Sequence, residues 1–132
     1  MIFVDTSFWI ATRLTRDPRH DEAAKLLARH ADDSWVTSNH VRGETWTFLN
    51  RRAGHRSARH FLDVVERSPR IQVAFVEEQL EEEALRWLRR RDERAYSFVD
   101  ATSFAVMRFL RLREALAFDG DFAAAGFVEL RA

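Results

Sequence analysis

Five short apolar runs constrain the architecture of this chain: Ile2-Phe3-Val4, Trp35-Val36-Thr37, Ile71 to Val76, Ala115 to Phe118 and Phe127 to Leu130. Runs of this kind read as strands. Helical sequence separates the first four. A helix is predicted from about Ser7 to Thr15, and a second follows Pro18 to about His30. Ser38 or Asn39 caps a third that reaches about Arg52 and is ended by Gly54. Others cover roughly 56–67, stopped by Ser68-Pro69, then about 77–91, then about 98–112 behind the cap Ser97. Strands separated by helices imply an α/β fold, a parallel sheet with helices on both faces.

The 132 residues fit one domain, and 46% hydrophobic content is enough for a proper core. The absence of cysteine excludes disulfides and thiolate metal sites. No basic segment precedes the apolar start, and no apolar stretch approaches the ~18 residues that span a bilayer. The chain is expected to be soluble and cytoplasmic. Basic and acidic residues balance at 21 each, so no global charge draws it to nucleic acid. Locally the balance breaks. Residues 51–60 carry Arg51, Arg52, Arg56 and Arg59 with His55 and His60, and no acid. That patch suits RNA, a protein partner, or a merely solvated helix face. Glu-rich and Arg-rich ends of 77–91 complement a helix dipole and allow pairs such as Glu82 with Arg86.

The residues that do not belong in an apolar setting are acids. Asp5 ends the first run, where it can face a ligand at a strand's carboxyl end or cap the following helix. Glu44 lies three residues after Val41 and four before Phe48, which places it on the buried stripe of its helix. Asp100 opens a helix that is apolar all round and therefore buried. With Ser97 it also matches a capping box, Ser-x-x-Asp. Asp119 and Asp121 flank Gly120 after the fourth run, where an Asp-Gly turn competes with a metal loop.

In a parallel sheet all strand ends of one kind share an edge, and helices that follow strands begin there. Asp5, Glu44, Asp100 and Asp119 can therefore converge. Carboxylates packed in apolar surroundings are costly unless a cation joins them. An all-oxygen set favours Mg²⁺ or Mn²⁺ over Zn²⁺, and its natural chemistry is phosphodiester hydrolysis. His40 and Glu44, one helical turn apart, are too few ligands for a zinc site, and no His-Glu-x-x-His pattern exists.

Four segments together resemble the PIN domain family, and within it the VapC-type toxin ribonucleases. They are Ile-Phe-Val-Asp-Thr-Ser (2–7), Glu44 in the helix after the second strand, Ser-Phe-Val-Asp-Ala (97–101) and Ala-Phe-Asp-Gly-Asp-Phe (117–122). The resemblance covers the chain from end to end and implies a single PIN domain over 1–132. It implies an α/β/α sandwich around a five-stranded parallel sheet and a Mg²⁺-dependent endoribonuclease, with Mn²⁺ as an alternative ion. By position, Asp5 and Asp100 match the principal metal ligands, and Glu44 and Asp119 complete the acidic set. Thr6 or Ser7 supports the site by hydrogen bonding, with Asp121 the rival for the fourth place. Similar toxins often carry Thr or Ser where Ala117 stands, so that supporting bond is missing here. Water, not a neighbouring 2′-hydroxyl, is the implied nucleophile, which leaves 5′-phosphate and 3′-hydroxyl ends. The implied partners are an RNA substrate such as tRNA or rRNA, a VapB-like antitoxin, and a second copy in a homodimer. Promoter DNA is reached only through the antitoxin complex. The alternative is a catalytically silent PIN scaffold that binds protein or RNA.

Overall fold

A computed structural model describes residues 1–132. The elements are β1 (Ile2–Val4), α1 (Thr6–Arg13), α2 (His20–Arg29), β2 (Trp35–Ser38), α3 (Asn39–Arg52), α4 (His55–Arg67), β3 (Ile71–Ala74), α5 (Glu78–Arg89), α6 (Phe98–Leu110), β4 (Glu114–Leu116), α7 (Asp121–Ala124) and β5 (Val128–Glu129). The strands form one sheet, ordered β3-β2-β1-β4-β5, and every pairing is parallel. The expected five-stranded α/β sandwich is therefore present.

The order of the strands sets the layers. From β1 the chain moves outward to β2 and β3, then returns across the sheet to β4 and β5. Right-handed crossovers consequently put α1 to α4 on one face and α5 to α7 on the other. The packing agrees: α1 meets α2 and α3, α3 meets α4, α5 meets α6, and α6 meets α7. The reversal between β1 and β4 opens a crevice at their carboxyl ends, the usual ligand position in such sheets.

Aromatic clusters fix both layers. On one face Phe8 and Trp9 of α1 meet Trp35 and Phe61 at ring separations of 5.4–6.1 Å. On the other, Phe104 of α6 meets Phe122, Trp87, Phe127 and Tyr96 at 4.9–5.8 Å. Phe8, Phe61, Phe104 and Phe122 are wholly buried, each worth roughly 1.5–3 kcal/mol. Phe8 lies three residues beyond Asp5, and Phe104 four beyond Asp100. Each helix is thus fastened into the core one turn past its acid.

Some expectations need correction. β3 ends at Ala74, short of Val76, because the Val76 amide donates to Asn39 Oδ1 at 2.7 Å instead of to the sheet. β4 ends at Leu116, because the Phe118 amide is taken by Ser7 Oγ at 3.0 Å. The helix α6 is buried from Asp100 to Met107, but its ends are not: Phe98 and Leu110 are exposed and Phe109 is 72% exposed. The turn read at Asp119-Gly120-Asp121 continues into the short helix α7, anchored by buried Phe122. Glu82 and Arg86 form no ion pair; Glu83 and Arg108 do, at 3.5 Å between α5 and α6.

Candidate functional site

Three of the four expected acids meet. One carboxylate oxygen from each of Asp5, Asp100 and Asp119 lies within 4.8 Å of the others. Asp5 follows β1, Asp119 follows β4, and Asp100 sits in the first turn of α6, all at the crevice where strand order reverses. Asp5 is 2% and Asp100 7% exposed, whereas Asp119 faces solvent. The cluster has a buried floor and an open mouth.

Capping and ligand roles coexist. Asp5 is the N-cap of α1, with Oδ2 accepting from the Ser7 amide at 3.1 Å and the Ser7 hydroxyl at 2.7 Å. At α6 the full capping box forms: the Asp100 amide donates to Ser97 Oγ at 2.9 Å, and the Ser97 amide donates to Asp100 Oδ2 at 3.1 Å. Each cap uses one carboxylate oxygen and leaves the other for a cation. Two helix N-termini also face the acids, a favourable field for negative charge.

Ser7 is the supporting hydroxyl foreseen from the sequence. It donates to Asp5 and accepts from Phe118. Thr6 is not: its hydroxyl is buried without a partner. Asp121 is drawn away from the cluster by Arg94, whose Nε donates to Asp121 Oδ1 at 2.5 Å. Of the two rivals for the fourth acid, Asp119 is the one that lies in the cluster with Asp5 and Asp100.

Glu44 does not share the buried stripe assigned to it. The buried residues of α3 are Val41, Thr45 and Leu49, and Glu44 is exposed. At about 100° per residue, Glu44 lies roughly 100° from the centre of that stripe. It stands outside the three-acid cluster, in a groove shared with Val99, the neighbour of Asp100.

The electrostatics are those of crowded, desolvated anions. Burial raises the Asp5 carboxyl well above its ordinary range, and the charges of Asp119 and Asp100 add to this against the Ser7 hydrogen bonds. Asp100 is pushed up to about 6, first by burial, then by Asp119 and Asp121, against the Ser97 hydrogen bonds. Asp119 is raised by burial and by the charges of Asp121 and Glu129, against a hydrogen bond from the Asp121 amide. Three carboxyls that all resist ionisation would ionise together most readily around a shared cation. All three donors are oxygens. Oxygens sharing an octahedral Mg²⁺ lie roughly 3–4 Å apart, so small side-chain movements suffice. The residues fit a hard divalent ion.

The PIN domain family model matches residues 2–128 of this chain. The chain belongs to the PIN domain family. It is 56% identical over 131 residues to proteins named 23S rRNA-specific endonuclease VapC20 from two strains of Mycobacterium tuberculosis, covering 99% of this chain and 98% of each relative. The crystal structure of Mycobacterium tuberculosis VapC20, described as a sarcin-ricin loop cleaving toxin, superposes with a TM-score of 0.93 at 55% identity over the whole of both chains. Within the PIN family the chain is of the VapC toxin type.

Two supports of this PIN site escaped the sequence reading. The Glu129 side chain accepts from the Gly120 amide at 3.3 Å and the Ala123 amide at 3.0 Å, and pairs with Arg131 at 2.8 Å. It braces the loop that carries Asp119. Arg94 grips the same loop, with Nη2 donating to the Asp119 carbonyl at 3.2 Å. An acid inside the apolar run 127–130 was the available signal for Glu129; a lone Arg in the polar segment before Ser97 gave none for Arg94.

Proposed function

We propose that this chain is a Mg²⁺-dependent endoribonuclease, the toxin of a toxin–antitoxin pair, that cleaves 23S rRNA in the sarcin-ricin loop. The observation that carries the nuclease reading is the meeting of Asp5, Asp100 and Asp119 at the strand-order reversal. Full-length similarity to VapC20 supports the rRNA target. Mn²⁺ would substitute for Mg²⁺ in an all-oxygen site.

Asp5 and Asp100 would hold the ion through the oxygens their caps leave free, and Asp119 would close the set from the solvent side. Such an ion supplies water activation and charge neutralisation at the phosphate. Ser7 keeps Asp5 oriented, and the Ser97 box keeps Asp100 oriented. The exposed Glu44 serves at the groove beside Val99, completing the acidic set towards the incoming phosphate. Attack by water leaves 5′-phosphate and 3′-hydroxyl ends.

Phe75, Phe109 and Leu110, all exposed, line or border one cleft beside α5 and α6. That apolar surface supports a homodimer. A VapB-like antitoxin is the proposed inhibitor, with promoter DNA bound only by the complex. No helix is long and apolar enough to cross a membrane, and we place the protein in the cytoplasm, where its ribosomal target lies.

The test is cleavage of 23S rRNA by purified protein with Mg²⁺, with Mn²⁺ and with EDTA, the new 5′ ends mapped by primer extension. A single cut in the sarcin-ricin loop, lost with EDTA and in Asp5→Asn, is expected. Intact RNA under all conditions, or an Asp5→Asn variant as active as wild type, defeats the assignment and leaves a binding scaffold.

A further inference from the structure

The groove that holds Glu44 continues away from the carboxylates. It follows the exposed side of α3 from Val99 past Glu44 and Phe48 to Arg51 and Arg52. Across the Gly54 turn a second hollow begins, walled by His55, Arg56, Arg59 and His60. Each hollow has one acid, Glu44 in the first and Asp63 in the second. None of the four arginines belongs to an ion pair, although pairs form elsewhere through Arg19, Arg70, Arg91, Arg94, Arg108 and Arg131. In a chain with as many acids as bases, four unpaired guanidiniums within nine residues are a local excess.

Helix stability explains only half of them. Arg51 and Arg52 lie in the last turn of α3, where the macrodipole favours cations. Arg56 lies in the first turn of α4, where it disfavours them, and no acid stands there to compensate. The N-cap of α4 is Gly54, at φ 92°, which offers no side chain to the first amides. Cations and uncapped amides together suit an anion. The corner is also held in shape: Trp46 meets His55 edge-on at 5.7 Å, and the Arg52 guanidinium lies 5.3 Å from the Phe48 ring centre.

We infer that the α3–α4 corner is a phosphate track for RNA, in which Arg51, Arg52, Arg56 and Arg59 grip the backbone of nucleotides flanking the scissile bond. The inference rests on the ribonuclease reading and assigns these residues to substrate positioning, not to chemistry. Glu44 to Arg52 spans about 12 Å along α3, room for roughly three to four stacked nucleotides. The track therefore reads backbone and shape beyond the cut, and it rewards an extended or folded RNA over a minimal fragment.

The test uses Arg51→Gln/Arg52→Gln and Arg56→Gln/Arg59→Gln, with Arg86→Gln/Arg89→Gln on α5 as a control that removes equal charge elsewhere. Cleavage of a long stem-loop RNA and of a fragment of a few nucleotides around the same bond is measured across a salt series. Binding of the long RNA to the same substitutions in an Asp5→Asn background is followed by fluorescence anisotropy. Each corner pair should raise KM for the long RNA about tenfold, leave kcat within about twofold, and lower the log–log salt slope by about 1.4. The short fragment and the control should behave as wild type. Corner variants that keep the wild-type KM, affinity and salt slope, or that lose no more than the control, overturn the track. If the wild type cuts neither RNA, the ribonuclease reading fails, and anisotropy alone still decides whether the corner binds RNA.

Discussion

The Ser7 hydroxyl donates to Asp5 Oδ2 across 2.7 Å. Because the Ser7 hydroxyl oxygen also accepts the Phe118 amide at 3.0 Å, one small side chain joins the exits of β1 and β4, the two strands that deliver Asp5 and Asp119. Ser7→Ala removes a bond to a charged group and orphans an amide. It should cost about 1–2 kcal/mol of stability in urea unfolding and slow single-turnover RNA cleavage roughly tenfold or more. Unchanged values in both would show that the joint is dispensable.

Asp5→Asn separates stability from catalysis. Asn keeps the N-cap acceptor but carries no charge into the buried floor. Without metal the variant should be more stable than wild type by about 1 kcal/mol, a melting shift of roughly 4 °C, while cleavage disappears. Thermal unfolding in EDTA decides it; a lower melting temperature would count against electrostatic crowding.

The same crowding sets a pH dependence. Asp100 rises from 3.8 to about 6 and Asp5 rises well above 3.8, so the folded chain holds protons that the unfolded chain releases. These groups stabilise the metal-free protein below about pH 4, and that stability is lost as pH climbs through 6 and beyond. Mg²⁺ binding displaces the protons, so added Mg²⁺ should raise the melting temperature more at pH 8 than at pH 5. Equal Mg²⁺ effects at both values would contradict the raised carboxyls.

Gly120 stands at φ 82°, and a Cβ there would lie 3.1 Å from Arg94 Nη2. Gly120→Ala must adopt a left-handed conformation and push aside the arginine that holds Asp121 and the Asp119 carbonyl. A stability loss of about 1–2 kcal/mol and weaker Mg²⁺ binding by calorimetry are expected. Wild-type Mg²⁺ affinity would show that the loop holds Asp119 by other means.

Glu44 and Asp100 should differ in kind. Asp100→Asn removes a member of the cluster and should abolish Mg²⁺ binding. Glu44→Gln lies outside the cluster and should lower turnover about tenfold or more with a smaller change in Mg²⁺ affinity. Titration of each variant with Mg²⁺, beside its cleavage rate, separates the two roles.

The sheet, its parallel pairing and the convergence of Asp5, Asp100 and Asp119 were legible because short apolar runs and misplaced acids are local signals. Cap and ligand looked like rival roles for Asp5 and Asp100. They are compatible because a carboxylate has two oxygens, a fact that spacing alone does not bring to mind. Glu44 was misplaced because a helical stripe with Phe48 at its edge has no sharp border in sequence. The exits of β3 and β4 were mistaken because side chains from elsewhere, Asn39 and Ser7, take the amides that would have continued the ladder. Contacts across more than a hundred residues, such as Ser7 with Phe118, leave no local trace.

Asp5 precedes Asp100, Asp119 and the bracing Glu129 by 95 residues or more along the chain. The nascent chain therefore emerges from the ribosome with an incomplete blade until those later residues follow. An enzyme proposed to cut the machine that builds it is harmless while those later residues are still unmade, and inhibition is needed only once β5 has docked.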